Sequence, residues 1–534
     1  MERSSGVLMH ISSLPNKFGI GSFGQSAYDF VDFLVASGQK YWQILPLTTT
    51  SYGDSPYQSF SAFAGNTNFI DFALLEQDGL LKQEDFANIN FGDDAEKIDY
   101  GLIFNTRRPI LEKAVARFLD SESIHEYNYF VSQNKHWLEP FVEYMAIKEH
   151  FGLVSWDEWD EDIRYRDEKA LKKYRTFLAT QMEFHRVTQF LFFKQWHTLK
   201  TYANNQNIDI IGDMPIYVAG DSVEMWTTPE FFKVDAQKRP TVIAGTPPDN
   251  FSEDGQFWGN PIYDWEYMKR RNFDWWVTRM EESFKMYDVV RIDHFRGFES
   301  YWEVPADAET SASGKWAKGP GITLFDTIKE KLGDVRIIAE DLGFMTQEVI
   351  DMREASGYPG MRILQFGFSG IDSIDLPHRY VENSVSYVGT HDNETALGWY
   401  KDHATIENKQ QIDRYLNRHG SETVPHALNR GIAASPSYIA IYTMQDLLNL
   451  DNRARMNTPS TIGINWQWRM KADALTNDLT DSLLELTKTY FRLNSPNFAE
   501  KLPDDVSETE IELATDSIER TVDTTTELPD SADI

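Results

Sequence analysis

Four short apolar runs of the chain end in acids. Asp213 closes DIIGD, Asp293 closes DVVRID, Glu340 and Asp341 close VRIIAED, and His391 and Asp392 close VSYVGTHD. Carboxyl groups brought from separate strand ends to one place suit the cleavage of a glycosidic bond. That reaction needs one acid to protonate the leaving oxygen and one carboxylate on the other side of the anomeric carbon. When the second group is close enough it attacks, a glycosyl-enzyme forms, and configuration is retained overall. The proton donor needs surroundings that raise its pKa. The nucleophile has to stay ionised, which a neighbouring cation favours. Arg291 and Asp293 stand two apart in VRID, so on a strand they share a face. Glu340 follows the apolar Ile337-Ile338-Ala339, a desolvated position suited to the donor. An Arg-x-Asp pair by itself is a common structural ion pair, and one acid after a strand is more often a helix cap. Several acids at successive run ends are harder to explain in that way.

Eight such runs follow one another: Gly6–Ile11, Tyr41–Leu47, Asp209–Val218, Asp288–Phe295, Val335–Leu342, Met361–Phe366, Val385–Asp392 and Tyr438–Tyr442. Fully buried parallel strands read as continuous apolar runs of this kind. With amphipathic stretches such as Ser26–Ser37 and Trp275–Met286 between them, they predict an α/β fold, a (β/α)8 TIM barrel whose strand C-terminal ends converge on one face. An open doubly wound sheet is the alternative, and no GxGxxG fingerprint supports it. The long stretch between the second and third runs exceeds any simple crossover. It predicts a mainly helical inserted subdomain at about residues 66–205. Phe184, Phe190, Phe192, Phe193 and Trp196 recur there at helical spacing and read as core. From Glu500 to Ile534 there are 12 Asp/Glu against 2 Lys/Arg and no aromatic residue, the composition of a disordered acidic tail. The expected division is a catalytic barrel over 1–494 and a tail over 495–534.

The 534 residues carry a formal charge of −32, which repels phosphate backbones and excludes nucleic acid and anionic membrane as partners. Aromatics reach 14%, many of them in polar, Gly-containing segments, as flat rings that meet sugar faces do. With no cysteine there is no disulfide framework, thiol nucleophile or thiolate metal site. The N-terminus has no apolar core of signal-peptide length and no 18-residue apolar run occurs, so a soluble, cytoplasmic protein is expected.

VVRIDHFRGF, IIAEDLG and YVGTHDNET resemble the three catalytic segments of the α-amylase superfamily, in that order. SYGDSPYQSFSAFAGN (Ser51–Asn66), IGDMPIYV, the Ala244–Trp265 segment and ARMNTPS (Ala454–Ser460) are similar to the amylomaltase or disproportionating-enzyme family, glycoside hydrolase family 77. The likeness runs from the N-terminus to about residue 494. It implies a 4-α-glucanotransferase with Asp293 as nucleophile, Glu340 as acid/base and Asp392 gripping sugar hydroxyls at the cleavage subsite. Arg291, His294 and His391 would line that subsite, and Tyr57, Asp213 and Asp341 would complete its polar lining. A glucan-gripping loop is implied at about 245–255, with Gly245 and Gly255 as hinges and Asp249 in its core. Phe251, Trp258 and Phe366 are the implied stacking partners for glucose rings, and Tyr52 is a weaker one. The implied donors and acceptors are α-1,4-glucans and maltooligosaccharides, with glucose also an acceptor. No cofactor, metal or obligate protein partner is implied. A retaining α-glucan hydrolase and a catalytically inactive glucan-binding barrel are the alternatives. Against the first, α-amylase hydrolases usually carry an Asp-x-x-x-Asn-His segment where this chain has Asp213-Met-Pro-Ile-Tyr-Val. Against the second, Asp293, Glu340 and Asp392 are all present. One departure is Asn66-Thr-Asn-Phe, which lacks the proline expected after SAFAGN.

Overall fold

The computed structural model describes residues 2–51, 53–121, 124–248, 254–370 and 372–494. Its strands, in chain order, are β1 (Ser4–Leu8), β2 (Tyr41–Gln43), β3 (Asp209–Met214), β4 (Val242–Thr246), β5 (Gln256–Pro261) and β6 (Val289–Ile292). They continue with β7 (Ser300–Pro305), β8 (Lys315–Lys318), β9 (Ile337–Ala339), β10 (Gly360–Ile363), β11 (Ser384–Tyr387) and β12 (Ile439–Thr443). Eight of them close a barrel in the order β1-β12-β11-β10-β9-β6-β3-β2, every pairing parallel. These are the eight apolar runs. Every residue of β6 (VVRI) and of β12 (IAIYT) is buried, as expected for strands covered by side chains inside and by helices outside.

Seven of the eight barrel strands are shorter than the runs that announced them. Val335–Leu342 contributes only Ile337–Ala339 to the ladder, and Val385–Asp392 only its first three residues, the strand starting one residue earlier at Ser384. The residues past each strand leave the ladder on the C-terminal side, and these are the acids. A strand that ends early frees its next side chains to turn over the barrel mouth.

Between β2 and β3 the chain is mainly helical, with long helices at Tyr100–Leu119, His125–His150 and Ala179–Asn205. The last of these packs on the His125–His150 helix and also on β3 and the Gln25–Ala36 helix, so it is both part of the insertion and the crossover into β3. Phe190, Phe192, Phe193 and Trp196 are buried, and Phe184 is partly buried, packed against the core. Among the described residues no helix is long and apolar enough to cross a membrane.

A four-stranded antiparallel sheet, β5-β4-β7-β8, rises beside the barrel and has no counterpart in the sequence expectations. Its strands (VIAGT, QFWGNP, SYWEVP, KWAK) mix polar and apolar residues and lack the continuous apolar run of a buried strand. The expected loop at 245–255 falls at the connection of β4 to β5, and its residues 249–253 lie outside the described residues. Gly245 is not a hinge there: it lies within β4, paired with Phe257 on one side and Trp302 on the other. A Cβ at Gly245 would sit 2.5 Å from the Gln256 carbonyl oxygen, so close approach of the strands requires glycine. Gly255, at φ +71°, occupies the left-handed region that turns the hairpin back.

Gly212, in the middle of β3, faces the Tyr287 ring, and a Cβ there would fall 2.1 Å from it. Tyr287 also accepts the Leu47 N–H at 3.4 Å, so it cannot simply swing away. Gly212→Ala is expected to lower folding stability by about 1–3 kcal/mol through overpacking, read as an earlier midpoint of thermal or urea unfolding.

Candidate active site

One buried cation organises the barrel mouth. Arg291, on β6, is 3% exposed, and its Nη1 donates to both carboxylate oxygens of Asp213 on β3, each at 2.7 Å. Its Nη2 lies 3.1 Å from Oδ1 of Asp293. Burial alone would lower the Arg291 pKa, but Asp213 and then Asp293 reverse this and hold it well above its ordinary value. Asp213 is itself 2% exposed, beneath Arg291. Sequence reasoning made it part of the polar lining; the structure gives it the task of holding Arg291 and Tyr57.

Asp293 and Glu340 stand at the ends of the adjacent strands β6 and β9. The Asp293 side chain keeps 30% exposure to the cleft while Glu340 is 8% exposed. The main chain seats Glu340. His294 N–H donates to Oε2 at 2.7 Å and Leu342 N–H to Oε1 at 2.9 Å. His294 does so from the left-handed region, φ 53° and ψ 47°, uncommon for a residue with a side chain. Burial pushes both carboxyls up. Glu340 rises to about 8, from burial first and the Asp293 charge second. Asp293 rises to about 6, because Arg291 opposes the effect of burial. At neutral pH Glu340 therefore carries the proton and Asp293 the charge.

The third acid is held by a different route. Tyr57 OH donates to Oδ2 of Asp213 at 2.7 Å and lies 2.8 Å from Nε2 of His391, and the two rings stack at 5.3 Å. His391 Nε2 is 3.3 Å from Oδ2 of Asp392, and Asn457 donates to Oδ1 of Asp392 at 2.7 Å. Burial would raise the Asp392 carboxyl, but His391 and the Asn457 amide hold it below the usual carboxylate range. His391 moves the other way: burial lowers it, Asp392 more than compensates, and the net shift is upward.

Asp293, Glu340, Asp392, Arg291, His391 and Tyr57 thus form one connected cluster, with Asp213 beneath it. Trp258 meets His294 edge to face, ring centroids 4.8 Å apart. Burial and the Arg296 charge lower the His294 pKa to about 3, so its ring is neutral. Phe366 follows β10 on the same side of the barrel and is 42% exposed. Asp249, Phe251 and Tyr52 lie outside the described residues. Asp341 does not join the cluster. Its Oδ1 accepts Met361 N–H at 2.6 Å, and its Oδ2 faces Arg353 at 3.1 Å and Arg362 at 3.6 Å. It is a buried tie between β9 and β10, and Gly360 leaves it room: a Cβ there would lie 2.2 Å from Oδ2.

Sequence reasoning did not single out Asn457, Arg455 or Trp466. Asn457 and Arg455 fall within the quoted ARMNTPS segment, and Arg455 donates to the Asp392 carbonyl at 2.8 Å. Trp466 lies against both Tyr57 and His391, at 5.8 and 6.0 Å. Among the described residues no group of three or more His, Cys, Asp or Glu could hold a metal ion. Chemically the arrangement provides one neutral acid, one charged nucleophile beside a fixed cation, and a polar network that can take hydroxyl groups.

A family model described as 4-alpha-glucanotransferase matches residues 9–476. The chain is 58% identical over 495 residues to a 4-alpha-glucanotransferase of Streptococcus pneumoniae, covering 92% of this chain and 98% of that one. A 4-alpha-glucanotransferase of Thermus thermophilus is 45% identical, with 88% and 95% covered. Among solved structures, the amylomaltase of Streptococcus agalactiae in complex with acarbose superposes with a TM-score of 0.91 at 52% identity, covering 92% of this chain and all of that one.

The reassignment of Asp341 is open to test. Asp341→Asn removes the charge facing the buried Arg353 and the partly buried Arg362 guanidinium groups while keeping an acceptor for Met361. It should cost about 3 kcal/mol of stability, measured by denaturant unfolding, and leave ligand affinity unchanged. A weakened ligand with undiminished stability would return Asp341 to the cleft.

Proposed function

The chain belongs to the 4-alpha-glucanotransferase family, and from that premise we propose that it transfers α-1,4-glucan segments between maltooligosaccharides by a retaining double displacement. The observation that carries the mechanism is the pair of adjacent carboxyls in opposite surroundings. Glu340 is desolvated and seated by two main-chain N–H groups, while Asp293 lies beside Arg291 and opens on the cleft.

In the first half-reaction the Asp293 carboxylate attacks the anomeric carbon. The bond to the leaving 4-oxygen breaks as Glu340 gives that oxygen its proton, and the reducing-end fragment departs. In the second half-reaction Glu340, now a carboxylate, takes the proton of an acceptor's 4-hydroxyl. That oxygen displaces Asp293 and restores both groups. Each Glu340 oxygen accepts only one main-chain N–H, so each retains capacity to carry or receive the travelling proton. Both steps balance with these two carboxyls alone.

Asp392, fixed by His391 and Asn457, grips hydroxyls of the reacting sugar, and Arg291 keeps Asp293 anionic. His294 and Trp258 form one wall of the same subsite. Phe366, with Asp249 and Phe251 of the sequence between β4 and β5, completes the grip on the glucan. Glucose serves as an acceptor when short donors are used. The reaction is placed in the cytoplasm, where a cysteine-free chain needs no oxidising compartment. Residues 495–534, outside the described residues, take no part in the chemistry.

Transfer and hydrolysis differ only in whether a sugar hydroxyl or water meets the glycosyl-enzyme, so product analysis decides. Incubation with maltotriose should give glucose and a ladder of longer oligosaccharides at a constant number of reducing ends. A steady rise in reducing ends with only shorter sugars would make the protein a hydrolase. Asp293→Asn and Glu340→Gln should each remain folded and lose several orders of magnitude in kcat; unimpaired turnover in either would remove the mechanism.

The pH dependence has a definite sign. Activity requires Asp293 ionised and Glu340 protonated. It should fall as pH drops through the raised Asp293 value of about 6 and fall again as pH rises through the raised Glu340 value of about 8. A bell-shaped kcat/KM profile centred near pH 7 is expected, and Glu340→Gln should abolish its alkaline limb.

A further inference from the structure

We propose that a chamber between the barrel and the helical insertion is a second sugar site, which takes one neutral pyranose outside the catalytic cluster. Only the choice of glucose as that pyranose rests on the transfer reaction proposed above, which releases it.

Three helices and the ends of two strands enclose the chamber. The His125–His150 helix brings Phe130, Gln133 and Trp137, and the Ala179–Asn205 helix brings Phe193 and His197. A helix at Asp274–Met286 adds Arg279, Glu282 and Lys285. Thr48, Ser61 and Phe63 come from the segment after β2, and Asp213 from the end of β3. Gln133, His197 and Lys285 are exposed and mark the mouth, whereas Ser61, Asp213, Arg279 and Tyr287 are buried at the inner end. Among the described residues, Asp293, Glu340 and Asp392 are not in these walls. The chamber ends instead against Asp213 and Tyr57, the pair that places Arg291 and His391.

Its volume is about 260 Å³. Sites for drug-sized ligands run from about 300 to 1,000 Å³, so this one suits a single sugar ring rather than a glucan chain. Two features of the lining match a sugar. Phe130, Trp137 and Phe193 pack together, ring centroids 5.5 to 6.4 Å apart, and give an aromatic wall for the C–H face of a pyranose. Against it stands a buried donor with a hydrogen to spare. Arg279 is 3% exposed; its Nη1 donates to the Ile216 carbonyl at 2.9 Å and its Nη2 to the Pro215 carbonyl at 2.6 Å. Among the described residues its Nε has no partner. A buried N–H left unpaired is costly, and a sugar oxygen supplies the acceptor.

The mouth adds further polar groups. The Thr48 hydroxyl, the Gln133 amide and the His197 ring make no hydrogen bond within the protein among the described residues, so donors and acceptors stand free at the outer end as well. Charge selects a neutral ligand. Asp213 and Glu282 line the chamber with Arg279 and Lys285, two acids against two bases, and Glu282 already accepts from Lys285 at 2.7 Å. An anion or a cation therefore meets as much repulsion as attraction there, while a neutral ring of hydroxyl groups meets neither.

Met286 also lines the chamber, so its methyl group reports on what enters. In the full chain labelled with 13C at the methionine methyls, with Met286→Leu identifying the signal, added glucose should shift the Met286 resonance saturably. No glucan donor is present and nothing turns over, so this result stands whether or not the catalytic reading holds; the maltotriose assay tests that reading separately. Gln133→Ala combined with His197→Ala removes two exposed polar partners and should weaken the glucose titration about tenfold, the size of one to two hydrogen bonds. A Met286 signal that glucose leaves unmoved, or an unchanged glucose affinity in the double variant, overturns the proposal. Tighter binding of glucose 6-phosphate than of glucose overturns the neutral class of ligand. If the double variant fails to fold, a crystal of the wild-type protein grown with glucose decides: a pyranose against Trp137 and Arg279 is expected, and an empty chamber refutes the site.

Discussion

The site depends on a guanidinium group removed from water. Stripping a cation of its hydration costs several kcal/mol and is recovered only with well-aligned counter-charges. Arg291 has two of them: Asp213 below, accepting with both oxygens, and Asp293 above, through one. That need fixes the relative positions of β3 and β6 at their C-terminal ends. It leaves Asp213 with an acceptor position for Tyr57, and Tyr57 in turn places His391 and Asp392. Four acids would repel one another if brought together without a cation; here the arrangement follows from one ion seeking partners.

Asp293 and Glu340 are both pressed toward their neutral forms by burial, so burial alone cannot assign their roles. The difference lies in what each touches. Asp293 touches a guanidinium group; Glu340 touches main-chain N–H groups and feels the Asp293 charge across the cleft. The first contact is worth more to an anion than the second, and this ordering separates the nucleophile from the proton donor.

Much of this was legible in the chain. Eight continuous apolar runs were visible because parallel strands are buried on both faces, and the acids at their ends marked the barrel mouth. What escaped had physical reasons. The β5-β4-β7-β8 sheet is built from strands that mix polar with apolar residues, so no continuous run announced it. Asp341 was misplaced because it adjoins Glu340, although consecutive residues of an extended chain point to opposite sides; Arg353 and Arg362, distant in sequence, receive it. Asn457 is a single polar residue with no spacing pattern, and only the folded chain brings it to Asp392. Strand ends were overcalled for a related reason: a run stays apolar for a residue or two after its backbone has left the ladder.

Among the described residues, Glu340 is gripped by the peptide N–H groups of His294 and Leu342. Peptide groups are the same whatever residue carries them. Positions 294 and 342 can therefore drift in side-chain identity, within what the left-handed turn at 294 accepts, without loosening the proton donor. Recognition and proton transfer are thereby uncoupled at the level of heredity: selection can retune which chain lengths the cleft prefers while the hydrogen bonds that seat the acid are inherited unchanged.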